Sequence, residues 1–223
     1  MPAKEREGSL PIDATYAVVR ESIGEPLAAL SRGGRAGSLR RLAFVGSEHG
    51  VGTTTLATCV ALALVRDLGE QALLFEGNWA SPAMAGYLGL TPTPGLTSVL
   101  EGEATLEGAM RQSTVKGLRV LTAGERRDST WEVERSEVRK VMQEACQQGQ
   151  FTIVDVPPLV AYPEALRMLE HVDATVLVLR AGSTSRSQAA AATRMLEGAG
   201  LPILGTILNR FRPDRFFASP QHG

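Results

Sequence analysis

The residues with the most evident chemistry lie in Phe44-Val-Gly46-Ser-Glu-His-Gly50-Val-Gly52-Thr-Thr-Thr-Leu56, where an apolar run meets a glycine-rich turn and then a helix start. In such a turn, here Gly50, Val51 and Gly52, glycines let backbone N–H groups approach phosphate oxygens. The helix start adds the positive end of its dipole. Thr53, Thr54 and Thr55 bring hydroxyls for magnesium and for a second phosphate, with Thr54 at the magnesium position. A phosphate-binding loop of this kind ends in Gly-Lys-Ser/Thr, whereas Thr53 follows Gly52 here. A neutral hydroxyl does not replace a point charge on the β- and γ-phosphates. The stretch therefore predicts a site for ATP or ADP with magnesium and weakened catalysis. The alternative is a plain tight turn into a helix.

The second stretch is Phe151-Thr-Ile-Val-Asp155-Val-Pro-Pro158, an apolar strand ending in a carboxylate. Asp155 stands where an acid holds magnesium through water. Other candidates read more plainly. His49 is an exposed loop histidine, which would meet phosphate only when protonated, and His171 is a helix cap. Trp79 is a packing residue beside a possible stacking or partner surface, Met84, Leu88 and Leu90 pack a short segment onto a sheet, and residues 125–130 form a charged, solvated loop. Cys59 and Cys146 lack the spacing of a disulfide framework or a zinc site.

These residues need elements to position them. Apolar runs predict strands at 42–45, 71–75, 118–121, 151–155, 174–179 and 203–208. Between them, helices are expected at 53–68, 132–148, 164–170 and 185–198, with short helices and loops over 82–117. Apolar strands without clean alternation, separated by helices, specify a doubly wound α/β fold with a mostly parallel sheet covered on both faces. Residues 1–38 form a tail and a docking helix over about 14–30, kinked or interrupted by Pro26 and followed by a flexible break at 31–38. Residues 39–210 form the domain, and 211–223 a tail without tyrosines.

The 223 residues carry 23 Lys and Arg against 24 Asp and Glu, a formal net charge of -1, which argues against nucleic acid as partner. No apolar stretch approaches the ~20 residues of a membrane span, and the N-terminus lacks the apolar core of a signal peptide. The expectation is a cytoplasmic protein without direct membrane insertion.

The loop, Leu73-Leu-Phe-Glu-Gly-Asn-Trp-Ala-Ser-Pro82, Gly95-Leu-Thr-Ser-Val-Leu-Glu-Gly-Glu103, Leu118-Arg-Val-Leu-Thr-Ala-Gly124, Val154-Asp-Val-Pro-Pro158 and Gly205-Thr-Ile-Leu-Asn-Arg210 occur in an order that resembles the bacterial tyrosine kinases of capsule and exopolysaccharide synthesis. These kinases are related to cell-division and plasmid-partition ATPases. The likeness runs from about residue 12 to 210. It implies a nucleotide-binding domain of the phosphate-loop fold with Asn209 among its nucleotide residues. It also implies a partner, the cytoplasmic segment of a membrane polysaccharide co-polymerase that recruits the chain to the inner membrane. An active kinase paralogue is a further partner.

Departures from the pattern are concentrated in the chemistry. The family's Asp-x-Asp pair corresponds to Glu76 and Asn78, vestiges of a catalytic pair, and the arginines after it to Ala80 and Ser81. The Glu-x-x-Arg-x-x-Arg of the ring-forming helix corresponds to Ala14, Ala17 and Arg20. Only Tyr16, Tyr87 and Tyr162 are present, so the tail lacks the family's autophosphorylation cluster. Three readings follow: a pseudokinase acting as an accessory or regulatory protein of exopolysaccharide synthesis and export, an active ATP-dependent kinase or ATPase using an arginine such as Arg20 in the lysine's stead, or a positioning ATPase. The last lacks its signature lysine, which corresponds to Glu48.

Overall fold

The computed structural model describes residues 10–31, 39–127, 134–147 and 151–212. The expected tails and break at 1–9, 32–38 and 213–223, and part of the charged loop at 128–130, lie outside them. The elements run α1 (Asp13–Ser31), β1 (Arg41–Gly46), α2 (Thr53–Arg66), β2 (Ala72–Glu76), α3 (Met84–Leu88), α4 (Leu96–Leu100), α5 (Leu106–Ala109), β3 (Arg111–Gln112), β4 (Leu118–Leu121), α6 (Arg135–Ala145), β5 (Phe151–Val156), a 3-10 helix (Pro163–His171), β6 (Ala174–Arg180), α7 (Arg186–Gly198) and β7 (Ile203–Asn209).

The strands form one sheet in the order β3-β4-β2-β5-β1-β6-β7. All neighbours are parallel except β3, which pairs antiparallel with β4. All six expected strands are present. The two-residue β3 is an addition, too short for any periodicity to announce it. The central strands are buried on both faces: Leu42, Phe44 and Ile153 pack on the side of α1, α2 and α3, and Ala43, Val45 and Val154 on the side of α6. Strand order reverses around β1, which places the mouth of the site at the carboxyl ends of β1 and β5.

One expectation is corrected. The first helix is not interrupted at position 26 but runs to Ser31. The backbone carbonyl that a proline there deprives of a donor belongs to Ser22, which is exposed and open to water, while Ile23 and Leu27 anchor both sides in the core. The helix expected at 164–170 is present as a 3-10 helix, with Pro163 in its first turn.

The amino end of the sheet is fastened by Asp173. Its carboxylate accepts the amides of Arg40 and Arg41, each at 2.8 Å, and the Arg41 guanidinium, tying β1 to the start of β6. Burial pushes this carboxyl up, but the Arg41 side chain and the two amides more than offset it, holding it below the usual carboxylate range. Its stabilisation is therefore present above the unfolded value near ~4 and lost as pH falls through the lower folded one. Asp173→Asn is expected to cost about 1–2 kcal/mol at pH 7, a figure reduced for solvent screening of the pair. Thermal melts should show that deficit closing below about pH 4; a gap independent of pH would contradict the assignment.

Candidate phosphate site

The loop between β1 and α2 is held from three directions. Ser47 N donates to Val178 O at 3.1 Å. Asn209 Nδ2, from the end of β7, donates to Val51 O at 2.7 Å. Glu48 turns its carboxylate to the β6–α7 connection, accepting from Thr184 Oγ1 at 3.1 Å, Ser183 Oγ at 3.3 Å and Gln188 Nε2 at 2.9 Å. Gly52 has φ +97°, and a Cβ there would run into the Asn209 amide, so any other residue is strained and displaces Asn209 from Val51. The first intrahelical bond of α2 is Leu56 N to Gly52 O at 3.0 Å. The amides of Thr53, Thr54 and Thr55 thus precede the helical ladder, as an anion site requires.

The three threonines are placed differently. Thr54 Oγ1 donates to Asp155 Oδ2 at 2.6 Å, uniting two residues that lie 101 positions apart. Asp155 is fully buried, and its Oδ1 has no hydrogen-bond partner among the described residues. Burial holds this carboxyl well above its ordinary value; the Thr54 bond pulls it down, and Glu76 pushes it further up. Thr53 is buried and its hydroxyl lies under the loop, 2.7 Å from where a Cβ on Gly46 would sit. Thr55 Oγ1 lies 3.2 Å from the Tyr87 hydroxyl.

The remaining predicted residues fall beside this pair without joining it. Glu76 is the register partner of Asp155, yet its carboxylate is taken by backbone amides. Oε1 accepts from Ala83 N at 2.6 Å and Met84 N at 2.8 Å, and Oε2 from Ala123 N at 2.9 Å. Glu76 therefore fastens the start of α3 and the segment after β4 to the end of β2. Asn78 is 8% exposed, with Oδ1 buried and unpartnered among the described residues. Asn209 supports the loop from below. Arg20 pairs with Asp67 just past the carboxyl end of α2, about 20 Å from the loop along a 14-residue helix. Within its own chain it does not replace the missing lysine.

Sequence reasoning missed the Glu48 network and an aromatic ladder. The Tyr162 ring stands edge-on to His49 at 5.6 Å and to Trp79 at 6.3 Å between ring centroids. The one available signal was the oddity of a carboxylate in a phosphate loop. His49 is exposed as expected and Trp79 buried at 5%. Met84 and Leu88 lie in the core, with Leu90 packed against it.

No family model matches the chain. Tyrosine-protein kinase YwqD of Bacillus subtilis (strain 168) is 32% identical over 161 residues, which cover 72% of this chain and 68% of that one. The chain belongs to the bacterial tyrosine-protein kinase family. It covers only 22% of the longer tyrosine-protein kinase ptk of Acinetobacter johnsonii, at 24% identity over 71% of its own length. Among solved structures, the VpsO kinase domain superposes with a TM-score of 0.74 at 25% identity, covering 89% of this chain and 96% of that one. The septum site-determining protein MinD of Pyrococcus horikoshii, complexed with Mg-ADP, gives 0.65 at 25% identity over 78% of this chain and 71% of its own. The doubly wound phosphate-loop fold is common to both and is the fold found here. No helix among the described residues is long and apolar enough to cross a membrane.

Proposed function

We propose that this tyrosine-kinase relative binds Mg-nucleotide at the 46–55 loop and transfers phosphate poorly or not at all, serving as an accessory or regulatory subunit. The observation that carries this reading is the contrast between adjacent residues. Thr54 is bonded to Asp155 while Thr53, a neutral residue in the lysine's place, is turned under the loop.

The residues present fit a magnesium nucleotide as a ligand. The amides of Thr53, Thr54 and Thr55, which precede the helical ladder, would be available to phosphate oxygens, the Thr54 hydroxyl would reach the ion, and the orphaned Asp155 Oδ1 would accept a water bound to it. The charge that Thr54 and Asp155 would hold there through magnesium would offset the negative charge of the phosphates. The described residues contain no group of three or more His, Cys, Asp or Glu able to hold an ion by themselves. Magnesium is therefore expected to arrive with the nucleotide. Without lysine, binding rests on amides and the helix dipole, which hold ground-state phosphates but give less to the transition state.

Resemblance to the exopolysaccharide kinases extends the reading to a cytoplasmic place and a partner, the cytoplasmic segment of a membrane polysaccharide co-polymerase. A surface around Ser81 and Pro82 suits that role better than Trp79, which is buried. The Thr54–Asp155 pair favours a second reading, an active kinase or ATPase completed by an arginine from a neighbouring subunit.

Calorimetric titration with Mg-ATP and Mg-ADP tests both. Micromolar binding, about 8 kcal/mol, is expected for the native chain and none for Gly52→Asp. Phosphate release no faster than that of Asp155→Asn is the expected companion. Absence of binding to millimolar nucleotide would sink the nucleotide site, and Asp155-dependent turnover would favour the second reading.

A further inference from the structure

We propose that Tyr162 is a phosphorylation site, the acceptor that an active tyrosine kinase of this family uses on this chain. The inference rests on family membership and on the surroundings of the tyrosines. It stands whether or not the 46–55 loop binds nucleotide.

The chain has three tyrosines, and all lie among the described residues. Tyr16 is 7% exposed, and its hydroxyl donates to Asp67 Oδ2 at 2.8 Å beneath the Arg66 guanidinium. Freeing it would pull α1 from α2. The Tyr87 hydroxyl is engaged with Thr55 at the first turn of α2. Tyr162 is half-buried, as Tyr87 is, and differs from both in its hydroxyl, which makes no hydrogen bond among the described residues.

Its chain context also suits an acceptor. Residues 157–162 connect β5 to the 3-10 helix without regular structure. Val160 is 48% exposed and Ala161 is exposed. The local turn is closed by two bonds, from Ala161 N and Tyr162 N to Pro158 O, at 3.0 and 2.9 Å. A kinase draws its target into an extended form. Here that requires opening one surface turn, two edge-to-face ring contacts, the packing of the ring on the core and the bond from Ala165 N to Tyr162 O at 3.0 Å that starts the 3-10 helix, with every strand and α-helix left intact.

In the transfer, Tyr162 Oη attacks the γ-phosphorus of ATP held by the other kinase. The new O–P bond forms as the bond from the γ-phosphorus to the β–γ bridging oxygen breaks. ADP leaves, and the phenolic proton passes to a base of that kinase or to water. The product carries about two negative charges on a ring packed against His49, in the phosphate loop itself.

The test incubates the full chain with YwqD and Mg-ATP and maps phosphate by peptide mass spectrometry. Most of the label is expected on Tyr162. Tyr162→Phe, which keeps both ring contacts, should lower incorporation at least tenfold, with Tyr16→Phe and Tyr87→Phe within twofold of the native chain. Label centred on Tyr16 or Tyr87, or no label while YwqD still turns over ATP, would overturn the assignment. Label on Tyr162 without added kinase would keep the site and overturn the weak-catalysis reading instead.

Discussion

Placing lysine at position 53 is expected to raise the affinity for Mg-ATP at least tenfold, about 1.4 kcal/mol or more, and that for Mg-ADP by less. The loop already has its shape. Asn209 holds Val51, Glu48 is tied to the β6–α7 connection and to the first turn of α7, and Gly52 has the left-handed backbone conformation of the turn. The missing ingredient is a full positive charge, and in a loop partly shielded from water that charge acts strongly on the β- and γ-phosphates. Thr53 now points under the loop toward Gly46. A lysine there has the length to pass the glycines and reach the phosphate side. Calorimetry on Thr53→Lys decides the matter, since unchanged affinity for both nucleotides would show that phosphates do not lie against this loop.

The second large effect concerns stability. Glu76→Ala is expected to destabilise the fold by about 4 kcal/mol, because three amides in or near the core lose their acceptor at once. Glu76→Gln should cost less, about 2 kcal/mol, since its carbonyl oxygen can still serve either the α3 pair or Ala123 but its NH2 faces the remaining donor. Burial pushes the Glu76 carboxyl upward, and the amides of Ala83, Ala123 and Met84 draw it back. Urea denaturation of the three forms gives the order directly. Alanine and glutamine equally close to native would mean that the carboxylate does not organise this corner. The glutamate's extra methylene thus has a use: it lets a side chain on β2 span to α3 and to the segment after β4.

Much of this was legible in sequence. Apolar runs such as Leu42–Val45 and Phe151–Val154 announce parallel strands because both of their faces are buried, and Gly50, Gly52 and the threonines announce a turn into a helix. Asp155 was legible for the same reason, as a carboxylate ending an apolar strand. The use of Glu76 was not, because its partners are backbone amides that leave no trace in residue type. Neither were the Glu48 network and the Tyr162 ladder, since each joins segments over 80 residues apart. Pro26 misled because propensity counts the lost hydrogen bond and not the anchoring of Ile23 and Leu27 in the core on either side of it.

Strand order also bears on when the molecule can assemble. β1 is made early but lies between β5 and β6, and its pairing with Val154 or Leu177 spans more than 100 residues. The loop that follows it is secured by Val178, Thr184, Gln188 and Asn209, all later still. During synthesis, then, the amino-terminal half emerges with its central strand unpaired on both edges and its phosphate loop unsupported. Long-range closures of this kind slow folding and leave strand edges open to wrong partners. A chain that ended near residue 170 would lack β6, β7 and every one of these supports, so the loop takes its shape only after the last strand has been made.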